Sequence, residues 1–281
     1  MIELLKAALF GVVEGITEWL PISSTGHMIL LDEFVKLNVS SDFWDMFLVV
    51  IQFGAILAVI LLYWKTIWPL GIYKHRKRTR IIWKKDTIDL WIKTIVACIP
   101  AAVVGILLDD WLDEHLYNWL VVSIMLIVVG IVFLVVEQRQ KDQKPTVTDL
   151  RDLTMKDALI IGIFQLVAAV FPGTSRSGAT IIGGLMIGVS RTVAAEFTFI
   201  LAIPVMAGAS LLKILKFGFS FTGTELAILG VGMAVAFVVS VVVIRFLMGY
   251  IRQHDFKPFG WYRIVLGALV ILYFGMVRGL L

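Results

Sequence analysis

Two short stretches of this chain gather residue types that could handle a phosphate group. In the first, Glu14 and Glu18 precede Pro21-Ile22-Ser23-Ser24-Thr25-Gly26-His27. Carboxylates four residues apart share one face of a helix. They repel unless a cation, a shared proton or a neighbouring His or Arg compensates, and carboxylate oxygens suit hard divalent cations. Ser23, Ser24 and Thr25 are small hydroxyl residues at a helix start, where outward N–H groups and the positive helix end suit an anion such as phosphate. They are also preferred helix caps, and the two roles can coexist. His27 follows Ser24 by three residues and shares its face if the helix restarts near Ser23. Hydroxyl and imidazole together could form a nucleophile and its proton handler. A histidine that is merely packed is the plainer alternative, as is a Glu18 that reaches to the membrane interface.

The second stretch is Pro172-Gly173-Thr174-Ser175-Arg176-Ser177, with Thr180 one turn later. The Arg176 guanidinium matches phosphate oxygens two at a time. Its simpler reading is an ion pair with Glu14, Glu18 or Glu196. Thr174, Ser175, Ser177, Thr180 and Gln165 complete the groups that could bind an anionic substrate alongside Ser23 and Thr25. Asp45, Glu196 and Gln52 are polar residues at or within apolar segments, suited to supporting the site or to capping. His75, His115 and His254 sit in loops and form no constellation.

Elements that could place these residues follow from composition. Of 281 residues, 59% are hydrophobic and 16% charged, too little polar surface for a soluble domain of this size. The bilayer is the natural solvent. Net charge is +4, which fits a positive-inside bias; no basic stripe with interleaved aromatics points to nucleic acid. Cys98 is the single cysteine, which excludes an intrachain disulfide and a multi-cysteine metal site, and packing is its expected role. Residues 1–20 carry Glu14 and Glu18 in the apolar run and are expected to be retained rather than cleaved as a signal.

Six segments have the length and apolarity of a membrane span: 46–64, 90–108, 118–136, 194–212, 225–247 and 261–279. Two further apolar regions are broken. Residues 4–20 and 27–37 flank the first polar stretch; 158–171 and 178–189 flank the second. Pro and Gly end a helix at each break. Two re-entrant helix–loop–helix hairpins are the economical reading, because freed backbone at membrane depth must lie in protein or line a wet cavity; ordinary spans kinked at Pro are the alternative. Eight Lys or Arg between 65 and 85 (Lys65, Lys74, Arg76, Lys77, Arg78, Arg80, Lys84, Lys85) place that loop in the cytoplasm, and they also suit anionic lipid. Asp109-Asp110-Trp111-Leu112-Asp113-Glu114 reads as an outer loop, and Arg245, Arg252, Lys257 and Arg263 as charges around an inner one.

Sliding the chain by 151 residues aligns Gly11 with Gly162, Glu14 with Gln165, Pro21 with Pro172 and Ser24 with Ser175. The chain is then a single membrane domain in two halves, about 1–140 and 152–281, each a re-entrant hairpin plus three spans. An odd number of spans inverts the second half, so the hairpin tips face each other near the midplane. At that offset Thr25 meets Arg176 and His27 meets Gly178; the first half reads as the chemical half and the second as a phosphate clamp. The fold class is an all-α polytopic membrane protein with an inverted-topology repeat.

The motifs Glu14-Gly15-Ile16-Thr17-Glu18, Pro21–His27 and Pro172-Gly173-Thr174-Ser175-Arg176-Ser177-Gly178-Ala179-Thr180 resemble those of the undecaprenyl pyrophosphate phosphatases, also called bacitracin-resistance phosphatases. With the span pattern, the resemblance covers essentially the whole chain. It implies a bacterial plasma-membrane hydrolase that converts the C55 isoprenoid diphosphate of cell-wall synthesis to the monophosphate, at a site open to the outer face. It implies dependence on Mg or Ca and competition with bacitracin for the lipid diphosphate, and it is compatible with a homodimer. Ser24, His27, Glu18, Glu14 and Arg176 would be catalytic, with Glu14 and Glu18 at the metal. Type 2 phosphatidic acid phosphatases carry a His six residues after their Arg; here that residue is Ile182, so that family does not match. Whether Ser24 attacks phosphorus or a metal-bound water does stays open. A lipid-phosphate flippase, alone or in addition, is the alternative function, since inverted repeats with broken helices also build transporters.

Overall fold

The computed structural model of the chain describes residues 1–75 and 78–277, with the backbone alone at 72–75, 78–80, 109, 110 and 113. The charges at Lys74, Arg76, Lys77, Arg78, Arg80, Asp109, Asp110 and Asp113, and the ring of His75, lie outside the described groups.

The chain is almost entirely helical. Helix α1 (Ile2–Thr17) and α2 (Ser24–Phe34) are followed by α3 (Ser41–Leu62), a short α4 (Trp64–Ile67), the strands β1 (Leu70–His75) and β2 (Arg78–Trp83), then α5 (Lys85–Leu116) and α6 (Trp119–Gln140). The remainder repeats the order with α7 (Met155–Val170), α8 (Arg176–Met186), α9 (Arg191–Phe217), α10 (Gly223–Tyr250) and α11 (Lys257–Val277). Among the described residues six helices are long and apolar enough to cross a membrane: α3, the Lys85–Leu108 part of α5, α6, α9, α10 and α11. Each answers to one expected span. Four of them start at side-chain caps: Ser40, Asn118, Ser190 and Thr222 accept from the backbone N–H groups of Phe43, Val121, Val193 and Glu225, satisfying donors that a helix leaves open.

Two loops differ from the sequence reading. The acidic run 109–114 is not a loop: α5 continues through it to Leu116, because no Pro or Gly interrupts it. The basic loop holds an antiparallel hairpin that pairs Leu70 with Trp83, Ile72 with Ile81 and Tyr73 with Arg80. Its β-branched and aromatic residues favour a strand, a preference masked in the sequence by charge.

The broken regions are pairs of short helices that pack on each other, α1 on α2 and α7 on α8. Helix α1 also lies along α10, and α7 along α5. Glycine permits both approaches: a Cβ at Gly11 would stand 2.5 Å from the Gly232 carbonyl oxygen, and one at Gly162 2.4 Å from that of Ala97. Helices α3 and α9 pack together, as do α6 and α11. Trp19, Phe133, Ile181 and Phe199 belong to one apolar cluster beneath the two breaks. Cys98 is free and half-buried, packed at the edge of a second cluster. At one end of the bundle the buried Glu137 carboxylate of α6 holds Arg191 of α9 and accepts from Phe256 N at 3.0 Å, so the buried charge is paired, as it must be.

Candidate active site

Each break turns on a serine in the left-handed region. Ser23 has φ 75° and Ser175 has φ 70°, the described non-glycine residues with positive φ. Each caps the helix that follows it: Ser23 Oγ accepts from Gly26 N at 3.4 Å and Ser175 Oγ from Gly178 N at 3.1 Å. Such conformations are costly and persist where the surroundings enforce them. These serines are 152 residues apart, not 151. The second turn has an extra residue between proline and cap, and its Gly173 adopts φ 89° where a Cβ would meet the Val122 carbonyl oxygen at 2.5 Å. Arg176 therefore occupies the place after its cap that Ser24 occupies after Ser23, and the fixed-offset match of Ser24 to Ser175 is corrected by one residue.

The two turns meet on Glu18. Ser24 Oγ donates to Glu18 Oε2 at 2.9 Å, and Arg176 Nη2 donates to Glu18 Oε1 at 3.0 Å. The Glu18–Arg176 pair is largely buried, with side chains 7% and 12% exposed. Ser177 Oγ adds a third link, to the Glu18 carbonyl oxygen at 3.0 Å, and lies 3.1 Å from Ser175 Oγ. Arg176 Nη1 donates to Thr198 O on α9 at 2.9 Å, and Thr198 Oγ1 donates to Thr180 Oγ1 at 2.8 Å. Thr180 in turn donates to Arg176 O at 2.9 Å. The guanidinium is thus fixed at both ends while its buried Nε has no partner.

Glu14 is buried one turn before Glu18, and its Oε1 lacks a partner. Gln165, its counterpart on α7, donates weakly to Ala97 O at 3.4 Å and leaves a buried Oε1 unpartnered. Thr174 is buried with a free hydroxyl, and Thr25 is half-buried on the first turn of α2. His27 stands beside this group but is occupied elsewhere. Its Nδ1 lies 2.7 Å from Ser23 O and its Nε2 2.7 Å from the Tyr262 hydroxyl. Because Ser23 O can only accept, Nδ1 carries a proton and donates to it, while the Tyr262 hydroxyl can serve Nε2 as donor or acceptor. In this arrangement Ser24 bonds to Glu18, not to His27.

Residues 7–269 match the protein family described as bacitracin resistance protein BacA. This chain belongs to the BacA family. It is 62% identical over 274 residues to the undecaprenyl-diphosphatase of Desulfitobacterium hafniense, covering 98% of this chain and 97% of that one. The undecaprenyl-diphosphatase of Enterococcus faecalis is 59% identical over 271 residues, covering 96% and 97%. The undecaprenyl-diphosphatase 1 of Clostridium acetobutylicum is 58% identical over 276 residues, covering 98% and 99%.

Three residues of this BacA-family site escaped the sequence reading. Thr198 carries no signal within an apolar span. Tyr262 stacks nearly parallel to His27, with ring centroids 5.6 Å apart. Arg263 had been counted among inner-loop charges; it is instead fully buried on α11 and donates to backbone carbonyls of both turns. An arginine inside an apolar segment is itself the signal that was available. Asp45, by contrast, is exposed early in α3. Glu196 lines a separate cavity with Lys65, Lys85 and Arg151. His115 bonds to Trp111 O on its own helix, and His254, just beyond the end of α10, bonds to Tyr250 O.

Proposed function

We propose that the chain hydrolyses undecaprenyl diphosphate to undecaprenyl phosphate and inorganic phosphate, recycling the lipid carrier of cell-wall synthesis in a bacterial plasma membrane. The observation that carries this reading is the sharing of one carboxylate by a serine hydroxyl from one turn and a guanidinium from the other. Ser24 Oγ attacks the terminal phosphorus, its proton passes to Glu18 Oε2, and the bond from that phosphorus to the bridging oxygen breaks. Undecaprenyl phosphate leaves, and water then cleaves the phosphoserine to regenerate Ser24. Arg176, freed from Glu18 by the incoming anion, stabilises charge growing on the phosphoryl oxygens together with Ser175, Ser177, Thr180 and the N–H groups at the starts of α2 and α8. Ser23, Thr25, Thr174 and Gln165 line the binding groups. His27, hydrogen-bonded to Ser23 O and the Tyr262 hydroxyl, stands at the edge of the site.

A divalent cation, Mg or Ca, fits this donor set. Among the described residues no cluster of three His, Cys, Asp or Glu could hold a metal alone. Glu14 offers an unpartnered buried oxygen beside Glu18, and Mg characteristically takes one or two carboxylates and completes its shell with substrate phosphates and water. Bound there, the ion would neutralise phosphate charge.

Several features support two inverted repeats with re-entrant hairpins. The element order recurs, the left-handed serine caps recur, and the glycine contacts at Gly11 and Gly162 recur with partner helices exchanged between halves. The resulting orientation opens the site to the outer face, where bacitracin would compete for the lipid diphosphate; if the protein forms a homodimer, the contacts between the two turns all come from one chain.

The test is Ser24→Ala in purified protein, assayed for phosphate release from a prenyl diphosphate with and without EDTA. A serine nucleophile requires a loss of about 10⁴-fold or more in kcat. Retained turnover with the wild-type metal response would end the phosphoserine route. Release in detergent, where no two sides exist, also separates hydrolysis from a pure flippase.

A further inference from the structure

Besides the ties that Arg176 and Ser177 make to Glu18, one side chain that comes from neither turn binds the backbone of both. Arg263, on α11, is 0% exposed. Its Nη1 donates to Pro21 O at 3.1 Å, in the turn that carries Ser24. Its Nη2 donates to Gly173 O and Thr174 O, both at 2.8 Å, in the turn that carries Arg176. Gly178 leaves the space it fills: a Cβ there would stand 3.3 Å from Nη1.

Two facts argue against a role in stability alone. Among the described residues no carboxylate forms an ion pair with Arg263, so a full charge is buried against carbonyl dipoles. A neutral donor would satisfy the same carbonyls at lower cost. The anchored carbonyls also lie directly beside the strained caps: Thr174 precedes Ser175, and Pro21 precedes Ser23 by two residues. A planar fork of donors fixes three oxygens at defined angles, which a flexible ammonium does not.

We propose that Arg263 is a positioning residue for phosphoryl transfer. By tying both turns to one rigid group, it fixes the distance between Ser24, which attacks, and Arg176, which receives the growing charge. This rests on the phosphatase reading above and deepens it. Arg263 touches backbone rather than substrate, so its loss misaligns the reacting groups more than it weakens binding.

The experiment measures kcat, KM and the thermal unfolding midpoint of detergent-purified wild type, Arg263→Lys and Arg263→Met with a prenyl diphosphate. Lysine keeps the charge and loses the fork, so it remains informative if the methionine variant fails to fold. The expected result for Arg263→Lys is a kcat about 100-fold lower, the scale of an ångström-sized misplacement, with KM within about threefold of wild type and a midpoint near it. A lysine variant with near-wild-type kcat overturns the proposal. So does one in which kcat, KM and midpoint deteriorate together, since that is the mark of general destabilisation. If wild type itself released no phosphate, the phosphatase reading would fail first and take this inference with it.

Discussion

Glu18 holds a hydroxyl on one oxygen and a guanidinium on the other, so under the proposed mechanism substrate phosphate competes with this carboxylate for Arg176. Arg176 is itself held by Thr198 O through its second terminal nitrogen. A lysine cannot span Thr198 O and the phosphate with a rigid fork. Arg176→Lys is therefore expected to lose about 2–3 kcal/mol of transition-state stabilisation, or about 30- to 160-fold in kcat/KM. Steady-state phosphate release measures this, and an unchanged unfolding midpoint would show that the loss is functional. The residues of both turns were legible in the sequence because hydroxyl, carboxylate and guanidinium groups are conspicuous in apolar surroundings. Arg263 was misread because it lies near a helix end rich in basic residues, where charge usually reports orientation. Nothing in the sequence marked Thr198 or Tyr262, whose contributions arise only when distant helices meet.

Helices α1 and α7 place the turns, and their placement depends on close backbone contact. At Gly162 an added methyl group would lie 2.4 Å from the Ala97 carbonyl oxygen, whereas at Gly230 it would meet nothing within 4 Å. Gly162→Ala should separate α7 from α5 and destabilise the protein by about 1–3 kcal/mol, a typical cost of overpacking. Gly230→Ala should be neutral or stabilise by up to about 1 kcal/mol by restricting the unfolded chain. Thermal unfolding of both variants provides the comparison; equal midpoints would mean that the α5–α7 contact gives way freely. The six long helices were readable from apolar length alone. The register of the second turn was not, because sliding the chain at one fixed offset cannot absorb the extra residue at Gly173. The hairpin Leu70–Trp83 was hidden for another reason, since its central basic run, residues 74–80, reads as an orientation signal before the flanking residues read as strands.

Across the molecule, residues about 150 positions apart act on one small volume. Three separate ties cross between the turns there: Arg176 to the Glu18 carboxylate, Ser177 to the Glu18 carbonyl, and Arg263 to both backbones. Such closeness is what the proposed binding of one diphosphate by both turns requires, and it sets a cluster of buried polar and charged groups inside a bundle whose outer surface suits lipid. The most direct test is a double-mutant cycle on prenyl diphosphate hydrolysis with Ser24→Ala, Arg176→Ala and both together. If the turns form one catalytic unit, Ser24→Ala should lower kcat/KM by about 10⁴-fold or more and Arg176→Ala by about 10³-fold or more, and the double variant should be no more than about threefold slower than the slower single. Losses that multiply in the double variant, or a single variant that keeps wild-type turnover, would contradict a shared site.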